Sequence, residues 1–455
     1  MRVRMWAAVA VCATVVCLFQ DLVWAGYLYV LNDVDGGANL LFGFEVNEQD
    51  GSLTALPGFP RPSGGNGSQN LMSQRMTYDP VNGCLYLING GSNTISAFAV
   101  DATTGALEPL PFNPFSLPPG PAGPPNRWSW GCLAVHPGGS PLVIGRDQLD
   151  QSHEPGQLAS FNVSPAMAVP AAGSPFYAGD LVYPYACAFS CSGKYLYTGG
   201  NRTTTRFGGF EVDAGTGVLS PLAGSPYTSD GYWPLAFALD GLDRLFLHSY
   251  HGQVTGQVET FLLSSGIPAA VPGAPAVSRL DDGIFALLHP AGYYLVADRS
   301  LHQVGVYRIT GSSPATTLAA VPGSPFPSGA YGTTALALNT AGTYLFAANN
   351  WTRNLTTFAV DSATGALNRL TIQPVNSLGT SGYITGLVYV GGLTEPQPGD
   401  LNLDGRVNCV DVVLLGRLLD ADLLDCQVPA PWNGDLDQDG RLTVADLLQL
   451  RLQIC

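Results

Sequence analysis

Near the C-terminus, Asp400, Asn402, Asp404 and Asp411 recur 35 positions later as Asp435, Asp437, Asp439 and Asp446. Counted from its first aspartate, each stretch has side-chain oxygens at positions 1, 3, 5 and 12 and a glycine, Gly405 or Gly440, at position 6. Position 7 is Arg406 or Arg441, which can offer only its backbone carbonyl. A hard cation such as calcium takes about six to eight oxygen ligands. Those oxygens must converge from a chain folded back on itself, and glycine permits the bend. One such stretch could be an acidic turn ahead of an amphipathic helix. Two in register point to a pair of calcium sites.

The elements that would position these ligands follow from the flanks. Prolines stand ahead of both loops, between Glu395 and Gly399 and between Pro429 and Gly434, where they exclude an incoming helix. Each position-12 aspartate instead opens an apolar stretch, Val412 to Leu419 and Leu447 to Ile454, that suits one outgoing helix.

Loop then helix, twice over, resembles the type I dockerin module across residues 400–455. The resemblance implies a small α-helical, EF-hand-like domain holding two Ca2+ ions, with Asp400, Asn402, Asp404, Arg406 and Asp411 as one ligand set. Asp435, Asp437, Asp439, Arg441 and Asp446 would be the other. It also implies a cohesin-type partner protein. In that family loop positions 10 and 11 help form the recognition face; here they hold Cys409, Val410, Val444 and Ala445 in place of the usual hydroxyl pair. Of the expected basic residues further along each helix, Arg417 and Arg451 remain. The calcium ligands therefore carry over, and the partner preference does not. Antiparallel packing of the module's helices would also bring Cys455 to Cys409, which implies a disulfide between them.

The chain opens with two arginines in Met1 to Arg4, an apolar run from Met5 to Phe19, and the small-residue site Val23 to Ala25. This pattern reads as a signal peptide over residues 1–25, cleaved after Ala25, and hence as a secreted or extracytoplasmic protein. The run falls short of the ~20 residues a membrane span needs, and no later segment reads as a span. Charged residues make up 12% of the chain, the net charge is -15, and 55 glycines and 35 prolines mark it as rich in turns. That balance repels polyanions and argues against nucleic acid as a partner.

From Gly26 to Val390 the chain repeats a unit of about fifty residues. Each copy holds a short apolar strand, as in Tyr27 to Val30, Leu85 to Ile88, Tyr195 to Thr198 and Tyr344 to Phe346. Alternating strands (Ser96 to Val100, Gly208 to Val212, Thr356 to Val360), hairpins of the Asp-x-x-Thr-Gly kind at Asp101 and Asp361, and Gly-Ser-Pro-aromatic segments also recur. Seven units of antiparallel strands predict an all-β seven-bladed β-propeller. The first unit lacks an inner strand, and Tyr383 to Val390 is an unpartnered copy of one. The two chain ends are thus expected to share a blade and close the ring. Residues 391–399 read as a Pro/Gly linker. The repeats resemble lactonase-type seven-bladed propellers, the family of bacterial 6-phosphogluconolactonase, over about 365 residues.

Propeller sites gather at one mouth of the central channel, just before each inner strand. Those positions hold Arg75, Arg127, Trp130, Tyr183, Tyr185, Trp233, Asp281, Asp282, Tyr331 and Tyr383. The lactonase family commonly offers histidine and arginine there, but here no histidine occupies these positions. His136 and His289 fall in turns at the far end, and the other four histidines read as structural or exposed, with no nucleophile beside them. Asp281 and Asp282 with Arg75 and Arg127 could supply an acid, a base and an oxyanion donor. The aromatics could stack on a sugar or other small molecule, or seal the channel. Three functions fit these residues: a ligand- or partner-binding propeller, a lactonase or polysaccharide hydrolase, and a structural surface repeat. The mouth lacks an evident catalytic set, which favours binding.

Overall fold

The computed structural model describes residues 26–391 except 69–73, 119–127, 149–155, 181, 201–203, 243, 251–255, 272–275, 312–315 and 376–381. Beyond 391 it describes residues 399, 407, 411, 412, 415, 436, 446, 447, 449 and 450. From Gly26 to Val390 the described residues form an all-β seven-bladed propeller, each blade one antiparallel sheet. The inner strands are Tyr383–Val390 in blade 1, Met76–Asp79 in blade 2, Trp128–Val135 in blade 3 and Ala186–Phe189 in blade 4. Blades 5, 6 and 7 begin with Tyr232–Leu239, Gly283–His289 and Thr333–Leu338. Each inner strand packs on the next, and Tyr383–Val390 packs on both Thr333–Leu338 and Met76–Asp79, completing the circle.

Ring closure follows the expectation from the unpaired C-terminal strand. Tyr383–Val390 pairs antiparallel with Gly26–Asp33, with Tyr27 opposite Val390 and Asp33 opposite Tyr383. Both ends of the propeller therefore lie on the lower face, where inner strands finish. The upper face is where they begin.

Second strands are clamped between neighbouring blades and bury both faces, so they read as continuous apolar runs rather than alternating ones. Leu28, Tyr29, Val30 and Leu31 are all 0% exposed. The outermost strands face water, as Leu367–Pro374 does along most of its length.

Two repeated motifs form one inter-blade latch. Asp101, Asp213 and Asp361 each accept two backbone N–H bonds from their own hairpin, and the glycine that follows is left-handed (Gly105 φ +68°, Gly217 +73°, Gly365 +76°). At Gly105 and Gly365 the first tyrosine of a neighbouring second strand then lies on that glycine, whereas Gly217 meets Asn162 instead. A Cβ on Gly105 would meet the Tyr27 ring at 2.5 Å, and one on Gly365 the Tyr293 ring at 2.5 Å. Gly51 against Tyr344 and Gly266 against Tyr195 repeat the contact.

The Gly-Ser-Pro-aromatic segments form a short fifth strand that the sequence pattern left unassigned. Phe176–Tyr177, Tyr227–Thr228 and Phe326–Pro327 each pair with the third strand of their blade. Their serines cap it: Ser174, Ser225 and Ser324 Oγ accept the N–H of Ser160, Gly209 and Val306 at 3.0, 3.0 and 2.9 Å. The following Ser-Pro bonds are cis.

Cys84, Cys132 and Cys187 are free, buried thiols. Cys191 is disulfide-bonded, and its partner is not among these described cysteines. Cys409 and Cys455, the expected pair, lie outside the described residues.

Candidate functional site

At the upper face several inner strands carry a bulge, with register shifts at Trp130/Cys132, Tyr232/Ala236, Gly283/Phe285 and Thr333/Ala335. A bulge re-aims side chains at the rim of a closed sheet. Three blades contribute to one cluster here: Tyr183 and Tyr185 from blade 4, Leu235 with Trp233 from blade 5, and Ile284 from blade 6. Trp233 takes a φ of +53°, which its bulged strand imposes, and its N–H donates to the Thr204 carbonyl at 3.1 Å. Its indole stacks on Tyr250, centroids 4.6 Å apart at 15°.

Beside Ile284 lies an acidic corner. Asp298 ends the second strand of blade 6 and is fully buried. Its carboxylate accepts the backbone N–H groups of Asp281 (3.0 Å), Asp282 (3.2 Å), Ser300 and Leu301 (both 3.1 Å). The loop before the inner strand is thereby fixed. Asp282 takes the Arg299 guanidinium, with Nε and Nη2 both 2.7 Å from Oδ2. Burial raises the Asp282 carboxyl pKa, and the Arg299 charge pulls it back. Asp281 Oδ1 is buried with no hydrogen-bond partner.

The other expected mouth residues are placed differently. Arg75 is fully buried and paired with an equally buried Asp33, so it presents no donor to the mouth. Trp130 is 1% exposed in the core between blades 2 and 3, its indole N–H donating to Asn93 and the Arg146 guanidinium lying over its ring. Tyr383 is half-buried at the start of its strand, and Tyr331 packs on His302 rather than on the cluster. Arg127 lies outside the described residues.

The histidines divide by face. His136 and His289 are turn caps on the lower face, as expected: their Nδ1 atoms accept the N–H of Gly138 and Ala291 at 2.9 and 3.0 Å. His248, expected without a nucleophile nearby, is corrected by the fold. Its Nε2 lies 3.2 Å from Ser278 Oγ. That hydroxyl already donates to the Gly256 carbonyl at 2.6 Å, and both residues are buried, so the pair is a strut between the strand Arg244–Tyr250 and the segment that holds Ser278. Burial drives the His248 pKa down to about 4, against the pull of Asp298. Sequence reasoning missed Asp298, Tyr250 and Ser278 because only pairing register brings them to the mouth.

The channel itself is divided. Gln74, just before the inner strand of blade 2, reaches past blade 3 to Cys187 in blade 4. Below it lies an apolar cavity of about 480 Å3 lined by Met76, Leu133, Phe189, Phe285 and Leu387, open toward the lower face and distinct from the aromatic cluster above.

In the tail, Asp411, Val412 and Leu415 are helical, as are Asp446, Leu447, Gln449 and Leu450. Asp411 and Asp446 are fully buried, and the Leu436 N–H donates to Asp446 Oδ1 at 2.8 Å. That bond ties position 2 of the second loop to position 12. Asp400, Asn402, Asp404, Arg406, Asp435, Asp437, Asp439 and Arg441 lie outside the described residues.

No family model matches the chain, and no curated protein matches it in sequence. Solved structures match its fold. A Bacteroides fragilis protein assigned as a 6-phosphogluconolactonase superposes with a TM-score of 0.63 at 16% identity, covering 81% of this chain and 99% of that one. A Bacteroides uniformis protein assigned likewise gives 0.62 at 14%, covering 81% and 100%. The periplasmic gluconolactonase of Pseudomonas aeruginosa gives 0.58 at 15%, covering 81% and 99%. At such identities the likeness establishes the seven-bladed lactonase-like propeller fold.

Proposed function

We propose that this is an exported ligand-binding propeller whose site is the aromatic channel mouth. The single observation that carries the reading is convergence: Tyr183, Tyr185, Trp233, Leu235 and Ile284 come from three blades into one cluster. Two of the expected charged residues are meanwhile paired, Arg75 with Asp33 and Asp282 with Arg299. A mouth of rings with one unpartnered carboxylate oxygen, on Asp281, suits a small uncharged ligand with an apolar face and hydroxyls, such as a sugar or sugar lactone. The test is thermal stabilisation by glucose and by glucono-δ-lactone. A shift that is lost in Trp233→Ala and in Asp281→Asn supports the mouth site. A shift indifferent to both removes it.

The tail fits a calcium-dependent dockerin that tethers the propeller to a cohesin-type partner. Two buried position-12 carboxylates and the closed loop at Leu436 and Asp446 support that reading. Calcium would be held by Asp400, Asn402, Asp404, the Arg406 carbonyl and Asp411, and by Asp435, Asp437, Asp439, the Arg441 carbonyl and Asp446. It would supply a charge around which the ligand carboxylates can pack. Export through a cleaved signal peptide over residues 1–25 agrees with a module of this kind. Among the described residues no helix is long and apolar enough to cross a membrane.

A second reading, lactone hydrolysis, is favoured by the same orphaned Asp281 oxygen beside the Asp282–Arg299 pair. There a general base would stand next to a fixed cation. It predicts turnover of glucono-δ-lactone that Asp281→Ala abolishes.

A further inference from the structure

Two large rings on the upper face belong to no core. Tyr331 is 60% exposed and Trp351 is 46% exposed. Both pack edge-on against a single imidazole: His302 lies 4.8 Å from the Tyr331 ring at 86° and 5.2 Å from the Trp351 ring at 78°. Three blade-top segments supply them: the turn after Asp298, the segment before the inner strand of blade 7, and the turn after Asn349.

Their positions are fixed by the backbone. The Tyr331 N–H donates to Thr352 Oγ1 at 3.1 Å, and the N–H groups of Trp351 and Thr352 donate to the Tyr331 carbonyl at 3.1 and 3.3 Å. His302 and Arg353 hold φ values of +58° and +54°, a region that non-glycine residues rarely occupy. Gly332 could not be another residue, since a Cβ there would meet the Trp351 ring at 2.9 Å. Backbone engages His302 Nδ1 in either tautomer: unprotonated it accepts the Gly332 N–H at 3.0 Å, and protonated it donates to the Arg299 carbonyl at 2.9 Å. Nε2 is left as the polar edge between two exposed rings. Strained, rigid and exposed groups of this kind collect where a ligand is held.

The chemistry selects the ligand. Rings offer apolar faces, while the imidazole and the Thr352 hydroxyl offer hydrogen bonds at their edge. Arg299 is spent on Asp282. With Leu301 the only other large apolar residue exposed in these turns, the patch is far smaller than the ~800 Å2 a stable protein interface covers on each side. We propose that Tyr331, His302 and Trp351 form a glycan-binding site, separate from the channel mouth, that stacks the pyranose rings of an uncharged oligosaccharide.

Titration of the full chain with cellohexaose, xylohexaose and maltohexaose, followed by tryptophan fluorescence, tests the site. At least one is expected to bind, with affinity falling tenfold or more in Trp351→Ala and Tyr331→Ala and largely kept in Trp351→Phe. Tyr331 is the most exposed of the large apolar residues among the described residues, so Tyr331→Ala stays decisive if Trp351→Ala does not fold. No binding of any of the three, or binding unchanged in both alanine variants, overturns the proposal. Affinity that falls in Trp233→Ala and holds in the two alanine variants also overturns it, by moving the glycan to the mouth.

Discussion

The side chain of Gln74 replaces a missing strand neighbour for Cys187: its Nε2 donates to the Cys187 carbonyl at 2.7 Å, and its Oε1 accepts the Cys187 N–H at 3.0 Å. A primary amide carries a donor and an acceptor side by side, spaced to meet both backbone groups at once. Gln74→Ala would leave that N–H and carbonyl unpaired in the channel wall, a loss of about 1 to 3 kcal/mol. The check is the urea midpoint of unfolding together with the rate of thiol labelling at Cys187, which is expected to rise as the channel opens.

A latch glycine and a glycine outside the latch separate two costs that usually travel together. At Gly365 a side chain meets both a left-handed backbone (φ +76°) and the Tyr293 ring at 2.5 Å. At Gly292 the backbone is equally left-handed (φ +79°), but nothing lies within 4 Å. Gly292→Ala should therefore cost about 1 to 2 kcal/mol from backbone alone. Gly365→Ala should cost more, by the further ~1 to 3 kcal/mol of overpacking. Thermal denaturation of the two variants gives the comparison.

Two buried groups give pH dependences of opposite sign. Burial raises the Asp79 pKa to about 6, although Val81, Asn82 and their amides favour the anion. The folded state then holds the proton more tightly than the unfolded state, so this group's stability is lost as pH rises from about 4 to 6. His248 is the reverse. With its pKa lowered to about 4, the unfolded state binds the proton better, and stability is lost as pH falls from about 6.5 to 4. Over this window the two effects oppose each other. Asp79→Asn should unmask an acid-labile protein, and His248→Gln one that weakens toward neutral pH. Urea unfolding from pH 4 to 7 reads both.

If the tail holds calcium as proposed, its carboxylates would repel one another without metal, so chelation should remove helix signal from residues 400–455 in circular dichroism. Titration of calcium into the full chain should show two events. Asp404→Ala and Asp439→Ala should each delete one. A helix signal indifferent to chelator removes the calcium reading.

The propeller was legible because its devices are local and repeated. Asp101 with Gly105, and Asp361 with Gly365, announce hairpins through turn chemistry alone, and the lone strand Tyr383–Val390 announced its own pairing. The mouth was legible only in part. Position before an inner strand picked out Tyr183, Tyr185 and Trp233, which pack into one cluster, but it could not tell that Arg75 turns inward to Asp33 or that Trp130 is swallowed between blades. For Trp130 the outcome depends on which side of a bulge the residue falls, and a one-residue slip reverses the face; for Arg75 it depends on a partner, Asp33, that lies in another blade. Asp298, Tyr250, His302 and Trp351 sit in second-strand ends and turns. They reach the site through the third dimension, with no motif in their own segment to mark them.

With Tyr27 opposite Val390, both chain ends leave the ring at the face opposite Trp233, Tyr331 and Trp351. A tail held by another body would thus point those rings outward, away from its anchor. Tension along the tail would run lengthwise down Tyr383–Val390, loading its bonds to Gly26–Asp33 together instead of peeling them one at a time. The joint that completes the ring would then also be the part of the molecule that bears traction.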